Sequence, residues 1–450
     1  MTWLINHIAS LANRNAISDS TGKYTYPELT TEVNRYQEVV GTQIMPGDTV
    51  VILSDYNFRA IALFLVLLNK KCIIVPIVSK IQREIDNRIE VASGNKIIQI
   101  TSEGALTIET RSQKRVHDLT LGLVEQGQAG LILFSSGSTG EPKAMIHNLD
   151  VLVDSFQGKK LKKLNILIFL MFDHIGGLNT LISTLSMGAH IILPANRDAL
   201  DIAALIEKHK VHVLPTSPTF LNMMLMANVA NKYNLGTLKM ITYGTESMPE
   251  SLLQRLRDTF PKTRFLQTFG TSETGIVQTS SRSSGSLEIK FNDLDQEYKV
   301  VNGELWIRSK TQVLGYLNAK MDSFTEDNWF RTGDLVEELN DGYIRIIGRA
   351  KEVINVGGEK VLPTEVESIL LEIDIVLDTL VYGVKNAITG QSVVADIVLV
   401  DGIETKSAKK KIRKYCRTRL SGFKIPTKLI FLDKTNTSDR FKKIRLSKDA

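Results

Sequence analysis

Two cysteines, Cys72 and Cys416, are all that 450 residues contain, and they lie far apart in the chain. A disulfide framework and a cysteine-rich metal site are thereby excluded, and the count suits a reducing compartment. No apolar run is long enough to cross a bilayer, because the longest, 61–68, stops at Asn69-Lys-Lys71. The start of the chain, Met1-Thr-Trp-Leu-Ile-Asn-His-Ile, lacks a basic stretch and a cleavage signal, so no signal peptide is expected and the location expected is cytoplasmic. Internal repeats and low-complexity tracts are also missing. Charge of one sign is in only mild excess: the net charge is +6. That suits anionic small molecules and gives little reason to expect nucleic acid. The basic runs at 406–419 and 424–448 read as solvated surface when taken alone.

What is present is an ordinary globular composition, 43% hydrophobic and 23% charged, on a chain long enough for two or three domains. Strand-like and helix-like stretches alternate: strands at 49–53, 71–76, 164–171, 190–193, 211–214 and 240–243, with helices at 58–68 and 199–208. This rhythm predicts parallel sheets covered by helices. From about residue 288 the texture changes to short β segments such as 303–308 and 340–347, with Asn340-Asp-Gly342 as a hairpin signal. A boundary is expected at 347/348, followed by a small α+β module with a helix at 363–371 and strands at 376–382 and 393–399.

One stretch stands out. Phe134-Ser-Ser-Gly-Ser-Thr-Gly-Glu-Pro-Lys143 opens from the apolar run 130–134 into hydroxyl and glycine residues and ends on a lysine. Glycines let backbone N–H groups turn toward an anion, hydroxyls add donors and lysine adds charge. It is not a Walker A loop, which needs Lys-Ser/Thr directly after glycine, whereas here Pro142 precedes Lys143 and Ala144 follows. On composition alone a phosphate-binding loop and a flexible turn are both open.

Ser135-Ser-Gly-Ser-Thr-Gly-Glu-Pro-Lys143 resembles the signature loop of the adenylate-forming enzymes, which include acyl-CoA synthetases, amino-acid adenylating domains and luciferases. Further segments resemble that family's elements in the family's order. Thr268-Phe-Gly-Thr-Ser-Glu-Thr-Gly275 is similar to its aromatic-Gly-x-Thr-Glu element, Trp329-Phe-Arg-Thr-Gly-Asp-Leu335 to its Gly-Asp element, and Gly348 to Lys360 to its hinge. Tyr243-Gly-Thr-Glu246 and Pro215-Thr-Ser-Pro-Thr-Phe220 are weaker matches to pocket-lining stretches.

The resemblance implies an α/β fold: a large N-terminal domain, 1–347, of stacked α/β sheets plus a small β region, and a small mobile C-terminal α+β domain, 348–450. It also implies residue roles. Ser135, Ser136, Gly137, Ser138, Thr139, Gly140 and Lys143 would clasp ATP phosphates, with Thr139 and Lys143 also catalytic. Phe269 would stack near adenine beside Gly244, Thr245, Gly270 and Ser272. Glu273 would ligate Mg2+, Asp334 the ribose hydroxyls, and Arg349 the nucleotide. Lys351 would be the pivot, and the Gly357-Gly358 turn would border a pantetheine channel. His174, Ser217, Tyr243 and Thr268 would line the acyl pocket.

The family's tail lysine usually follows glycine in a Gly-Lys-Ile-x-Arg-like segment. In Arg440-Phe-Lys-Lys-Ile-Arg445, aligning Lys-Ile-Arg gives Lys443 as the catalytic lysine, with Lys442 as its rival. Phe172-Asp-His-Ile-Gly-Gly177 can be aligned two ways. With His174 at the ligase histidine the substrate is a non-amino acid; with Asp173 at the ammonium site it is an amino acid. The activity implied is ATP-dependent formation of an acyl-adenylate from a small carboxylic acid, then transfer to coenzyme A. Transfer to carrier-protein phosphopantetheine, with an acyl carrier protein as partner, and a catalytically silent nucleotide-binding module are the alternatives.

Overall fold

The computed structural model describes residues 2–101, 103–112, 116–135, 142–292, 295–438 and 440–445. Two seven-stranded sheets form the bulk of the chain. In the first, strands Thr49–Leu53, Ile73–Ile77 and Gly130–Ser135 run parallel at the centre, and Lys143–Asn148 and Gly315–Tyr316 extend one side antiparallel. In the second, Asn165–Leu167, His190–Ile192, Val213–Thr216, Met240–Tyr243 and Arg264–Gln267 are all parallel. Helix Phe58–Asn69 is apolar all round, and Ala60 through Leu68 are wholly buried. A helix of that kind can only be an interior one. It shares a core with the amphipathic helix Tyr26–Val40, which a Thr25/Glu28 capping box starts.

Where strand limits differ from those expected, local geometry gives the reason. Ile73–Ile77 starts late because Lys71 turns with φ 58°. The 164–171 stretch is a strand only over Asn165–Leu167, since its neighbours pair with it no further. Val213–Thr216 starts late because Val211 still closes the preceding helix through Ile206, and it runs on through Pro215.

A six-stranded antiparallel sheet follows, including Glu304–Ser309, Phe330–Glu338 and Ile344–Arg349. Asp341 and Gly342 make its turn with φ 64° and 72°, the left-handed pair that the hairpin signal implies. Strand Ile344–Arg349 carries the sheet past residue 348, so Gly348 and Arg349 still belong to it. Beyond lies a five-stranded sheet built on Val376–Asn386 and Gly390–Leu399, with helices Pro363–Leu371 and Thr405–Arg419. The latter's basic residues surround a narrow buried stripe of Ala408, Ile412 and Cys416. Among the described residues no helix is long and apolar enough to cross a membrane.

Candidate functional site at the carboxyl ends of the parallel strands

Strands Val213–Thr216, Met240–Tyr243 and Arg264–Gln267 end level with one another, with Thr216, Tyr243 and Gln267 in register. Open parallel sheets bind ligands beyond this edge. Here the edge carries buried polar atoms without protein partners: the hydroxyls of Thr216 and Thr245 and the amide oxygen of Gln267. Such atoms are costly unless a ligand or water satisfies them. Gly244 admits the close approach of the next turn, since a Cβ there would stand 2.8 Å from the Thr268 carbonyl. Thr268 in turn donates to the Tyr243 carbonyl through its N–H (2.8 Å) and its hydroxyl (3.2 Å).

Strands Phe269–Thr271 and Gly275–Val277 form a tight hairpin with Ser272 and Glu273 in its tip. Gly270 is obligatory there, because a Cβ would meet the Gly275 carbonyl at 2.6 Å. The Glu273 carboxylate accepts from the Tyr316 hydroxyl at 3.0 Å, and the Lys143 ammonium lies 5.2 Å from the centre of the Tyr316 ring. Strand pairing makes this row. Ser135 faces Lys143 across the two strands flanking the glycine-rich loop, and Tyr316 pairs beside Met145. Asn318 ties the loop's exit, accepting from Ala144 N–H (2.8 Å) and donating to the Pro142 carbonyl (2.9 Å). Ser136, Gly137, Ser138, Thr139 and Gly140 lie outside the described residues.

Asp334 and Arg349 are register partners on adjacent strands, 3.1 Å apart from Oδ1 to Nε. Asp334 is buried, and burial pushes its carboxyl up to about 6, with Arg349 opposing. His174 caps helix Ile175–Ser186 by accepting the Gly176 N–H on Nδ1 at 3.0 Å. The proton of the neutral ring is therefore assigned to Nε2. Burial, with the charges of Lys442 and Arg440, holds its pKa well below the ordinary value.

The C-terminal tail closes the site. Arg440 donates to the Phe134 carbonyl (3.2 Å) and reaches Asp173 (3.5 Å). The Phe441 ring enters a slot between Phe169 and Phe220, at centroid distances of 4.9 and 5.4 Å. Lys442 is half-buried, and desolvation lowers its pKa to about 8. The charges of Glu246 and Asp334 oppose that shift, and those of Arg349 and Arg440 add to it. Lys443 turns the other way, to Asp378 (3.0 Å) and the Thr379 carbonyl in the small module.

The expected Lys443 is thus spent on Asp378, and its rival Lys442 is the lysine that feels the charges of Asp334 and Arg349. The backbone shows why. Phe441 takes φ 53°, the left-handed conformation that glycine favours. Phe441 thus has the backbone conformation of the glycine in the tail pattern, and Lys442 directly follows it.

Three other expectations change. Phe269 is only 6% exposed and packs on Phe291 within the β-region core, so its ring presents no stacking face. Tyr243 is 1% exposed in the core beneath the strand edge. Ser217 is wholly buried, capping helix Pro218–Met226 and donating to the Phe441 carbonyl at 2.7 Å, so it holds the tail and lines no pocket. Gly358 sits in an exposed turn, its N–H bonded to the Asn355 side chain. Tyr316, Glu246 and Arg440 were not singled out for the site. For Glu246 the only signal was its place after Gly244-Thr245.

Fold and site together define a nucleotide-site architecture in which a small α+β module delivers a lysine to the sheet edge of a larger α/β domain. The chain belongs to the AMP-binding enzyme family: that family's model matches residues 6–317, and the model of the family's C-terminal domain matches 365–442. Among curated relatives it is similar to the indoleacetate–CoA ligase of Aromatoleum aromaticum, 29% identical over 67% of this chain and 63% of the relative. A long-chain-fatty-acid–CoA ligase of Mycobacterium tuberculosis is 25% identical over 96% of this chain and 94% of its own. The chain spans less than two thirds of the length of the Aromatoleum ligase and of a Rhodococcus jostii CoA ligase, at 63% and 61%. Its fold matches that of the anthranilate CoA ligase in complex with anthranoyl-AMP, with TM-score 0.82 and 19% identity over 98% of this chain and 95% of that one.

Proposed function

We propose that this chain joins a small carboxylic acid to ATP, giving an acyl-adenylate and pyrophosphate, and then passes the acyl group to the thiol of coenzyme A with release of AMP. The observation that carries this reading is that the Lys442 ammonium lies within electrostatic reach of the Asp334–Arg349 pair and of the neutral His174. In the first step a carboxylate oxygen attacks the α-phosphorus and the bond to the β-phosphate oxygen breaks. No covalent intermediate with the enzyme is needed, so catalysis is positioning and charge stabilisation. Lys442 supplies the positive charge between carboxylate and phosphate, and His174 has Nε2–H free to donate toward the acid. Asp334 can accept from ribose hydroxyls, and the partnerless hydroxyls of Thr216 and Thr245 and the Gln267 amide oxygen are available to the nucleotide.

Glu273 offers a hard carboxylate oxygen beside Lys143. Among the described residues no group of three or more His, Cys, Asp or Glu side chains could hold a metal. A Mg2+ ion at Glu273 would thus take its other ligands from phosphate and water, as Mg2+ commonly does. Bound there, it would neutralise the phosphates.

The acid we propose has no α-ammonium. Asp173, the carboxylate that would bind one, is already held by Arg88 at 3.2 Å and Arg440 at 3.5 Å, and it is buried. Both guanidinium groups lie on its Oδ2, so an ammonium at Asp173 would have to share the carboxylate with two cations already beside it. Incubation with ATP, Mg2+, coenzyme A and a panel of aryl, fatty and amino acids, read by mass spectrometry, tests the reading. The expected products are an acyl-adenylate and a thioester from a non-amino acid. Adenylates from amino acids alone would contradict the Asp173 argument. Thioester only on a phosphopantetheine carrier would replace coenzyme A as the acceptor.

The two perturbed groups also set a pH window. kcat/KM reports the free enzyme's ionisations. It should fall below about pH 6 as Asp334 gains a proton and stops accepting two hydroxyls, and above about pH 8 as Lys442 loses its charge. Lys442→Arg should remove the basic limb. A wild-type profile flat from pH 5 to 9 would contradict both assignments.

A further inference from the structure

Asp173 poses a problem that the proposed chemistry leaves unsolved. It is a carboxylate 3% exposed, and its Oδ1 has no hydrogen-bond partner among the described residues. Burying a carboxylate costs several kcal/mol unless its charge is well matched. Among the described residues of the large domain, the cation on it is Arg88, on helix Gln82–Val91. The second, Arg440, comes from the tail, two residues before Lys442. The same Arg440 guanidinium donates to the carbonyl of Phe134, at the mouth of the glycine-rich loop.

The other side of Lys442 is held as firmly. The Lys443 N–H donates to Glu246 Oε1 at 2.6 Å, and Thr219 fixes the other oxygen of that carboxylate at 2.6 Å. Ser217 takes the Phe441 carbonyl, and Phe441's ring is slotted between Phe169 and Phe220. Each residue flanking Lys442 thus has its own receptor on the large domain, and Asp173 is the one that receives a charged side chain.

We propose that Asp173 is a positioning residue for adenylate formation: by receiving Arg440 it fixes where the tail crosses the site and so where the Lys442 ammonium stands. This rests on the proposed function for its catalytic meaning, though not for its geometry. In the movement of the small module that the family resemblance implies for thiol transfer, Arg440 would leave and Asp173 would keep Arg88 alone. The contact therefore serves one half-reaction and not the other.

The test uses the full chain and the variants Asp173→Asn, Arg440→Gln and the double variant. The acid is whichever of benzoate, phenylacetate and octanoate exchanges fastest. Two half-reactions are measured: acid-dependent ATP–pyrophosphate exchange, and thioester formation from the synthetic acyl-adenylate and coenzyme A. Access to Lys442 is read separately, by trinitrobenzenesulfonate labelling and mass spectrometry. Each single variant should lose about tenfold in exchange, the scale of one charge-assisted hydrogen bond. The double variant should lose no more, thioester formation should stay within about twofold, and Lys442 labelling should rise. Equal losses in both half-reactions mark a merely structural role and overturn the proposal, as do additive losses. Arg440→Gln guards against misfolding, since it alters only the tail. If the wild type exchanges with none of the acids, the function reading fails for that panel and labelling alone decides the placement. A rise in Lys442 labelling then supports the positioning role, and unchanged labelling overturns it.

Discussion

Lys442→Ala should lower adenylate formation by about 10² to 10³-fold, the loss seen when one preorganised charge-stabilising donor is removed from an active site. Thermal stability should be nearly unchanged, because the wild-type ammonium is itself held at the expense of burial and its pKa is depressed to about 8. Lys443→Ala should do the reverse. Lys443 neutralises Asp378, which is 6% exposed, at 3.0 Å. Leaving that carboxylate with the Thr435 hydroxyl but without its cation should cost about 3 kcal/mol and lower the melting temperature, with exchange retained at temperatures where the chain is folded. Two adjacent lysines thus carry opposite phenotypes, and paired exchange and melting curves read both. Loss of exchange in Lys443→Ala with full exchange in Lys442→Ala would reverse the assignment.

The second large effect is expected at Arg445, whose guanidinium holds both oxygens of Glu367 at 2.9 Å, Glu352 at 3.1 Å and the Val381 carbonyl at 3.2 Å. Glu367 is 1% exposed and also accepts the Val381 N–H. Arg445→Ala removes the cation and leaves a buried carboxylate, which should cost about 3–5 kcal/mol. The anchored tail is the segment that presents Lys442, so exchange should fall together with stability. Arg445→Lys keeps the charge but cannot reach Glu367, Glu352 and the Val381 carbonyl at once as the three guanidinium nitrogens do, and it should lie between wild type and alanine. Differential scanning calorimetry measures the stability loss. A melting temperature unchanged in Arg445→Ala would show that the fork contributes nothing.

Much of the architecture was legible because it rests on local signals. The wholly apolar 58–68 stretch could only be an interior helix, Asn340-Asp-Gly342 supplied the left-handed residues its turn needs, and the alternation of strands and helices implied parallel sheets. The site was legible where a motif carries its own geometry: Glu273 at a hairpin tip that requires Gly270, and Asp334 on a strand that also sets Arg349 opposite it.

What escaped depends on distant partners. The choice between two adjacent lysines turned on which preceding residue takes the left-handed conformation, and no pattern assigns that to a phenylalanine. Phe441 is held there by its half-buried ring, which packs on Phe169 and Phe220, more than two hundred residues away in sequence. The direction of Asp173 was equally hidden, since Arg88 and Arg440 come from opposite ends of the chain. Ser217 and Tyr243 sit beside strand ends that do form the site edge, but one is spent on a helix cap and a tail contact and the other in the core. Tyr316 could be placed next to Glu273 only by the pairing of its short strand with Lys143–Asn148.

The central claim is that the Lys442 charge, brought to the strand edge by the C-terminal tail, drives attack of a carboxylate on ATP. It is tested most directly by the incorporation of radiolabelled pyrophosphate into ATP, run with and without each acid of the panel, in the wild type and in Lys442→Ala. The account predicts exchange that depends strictly on a non-amino carboxylic acid and that Lys442→Ala reduces by at least a hundredfold. Exchange that proceeds as fast in Lys442→Ala as in the wild type would contradict it.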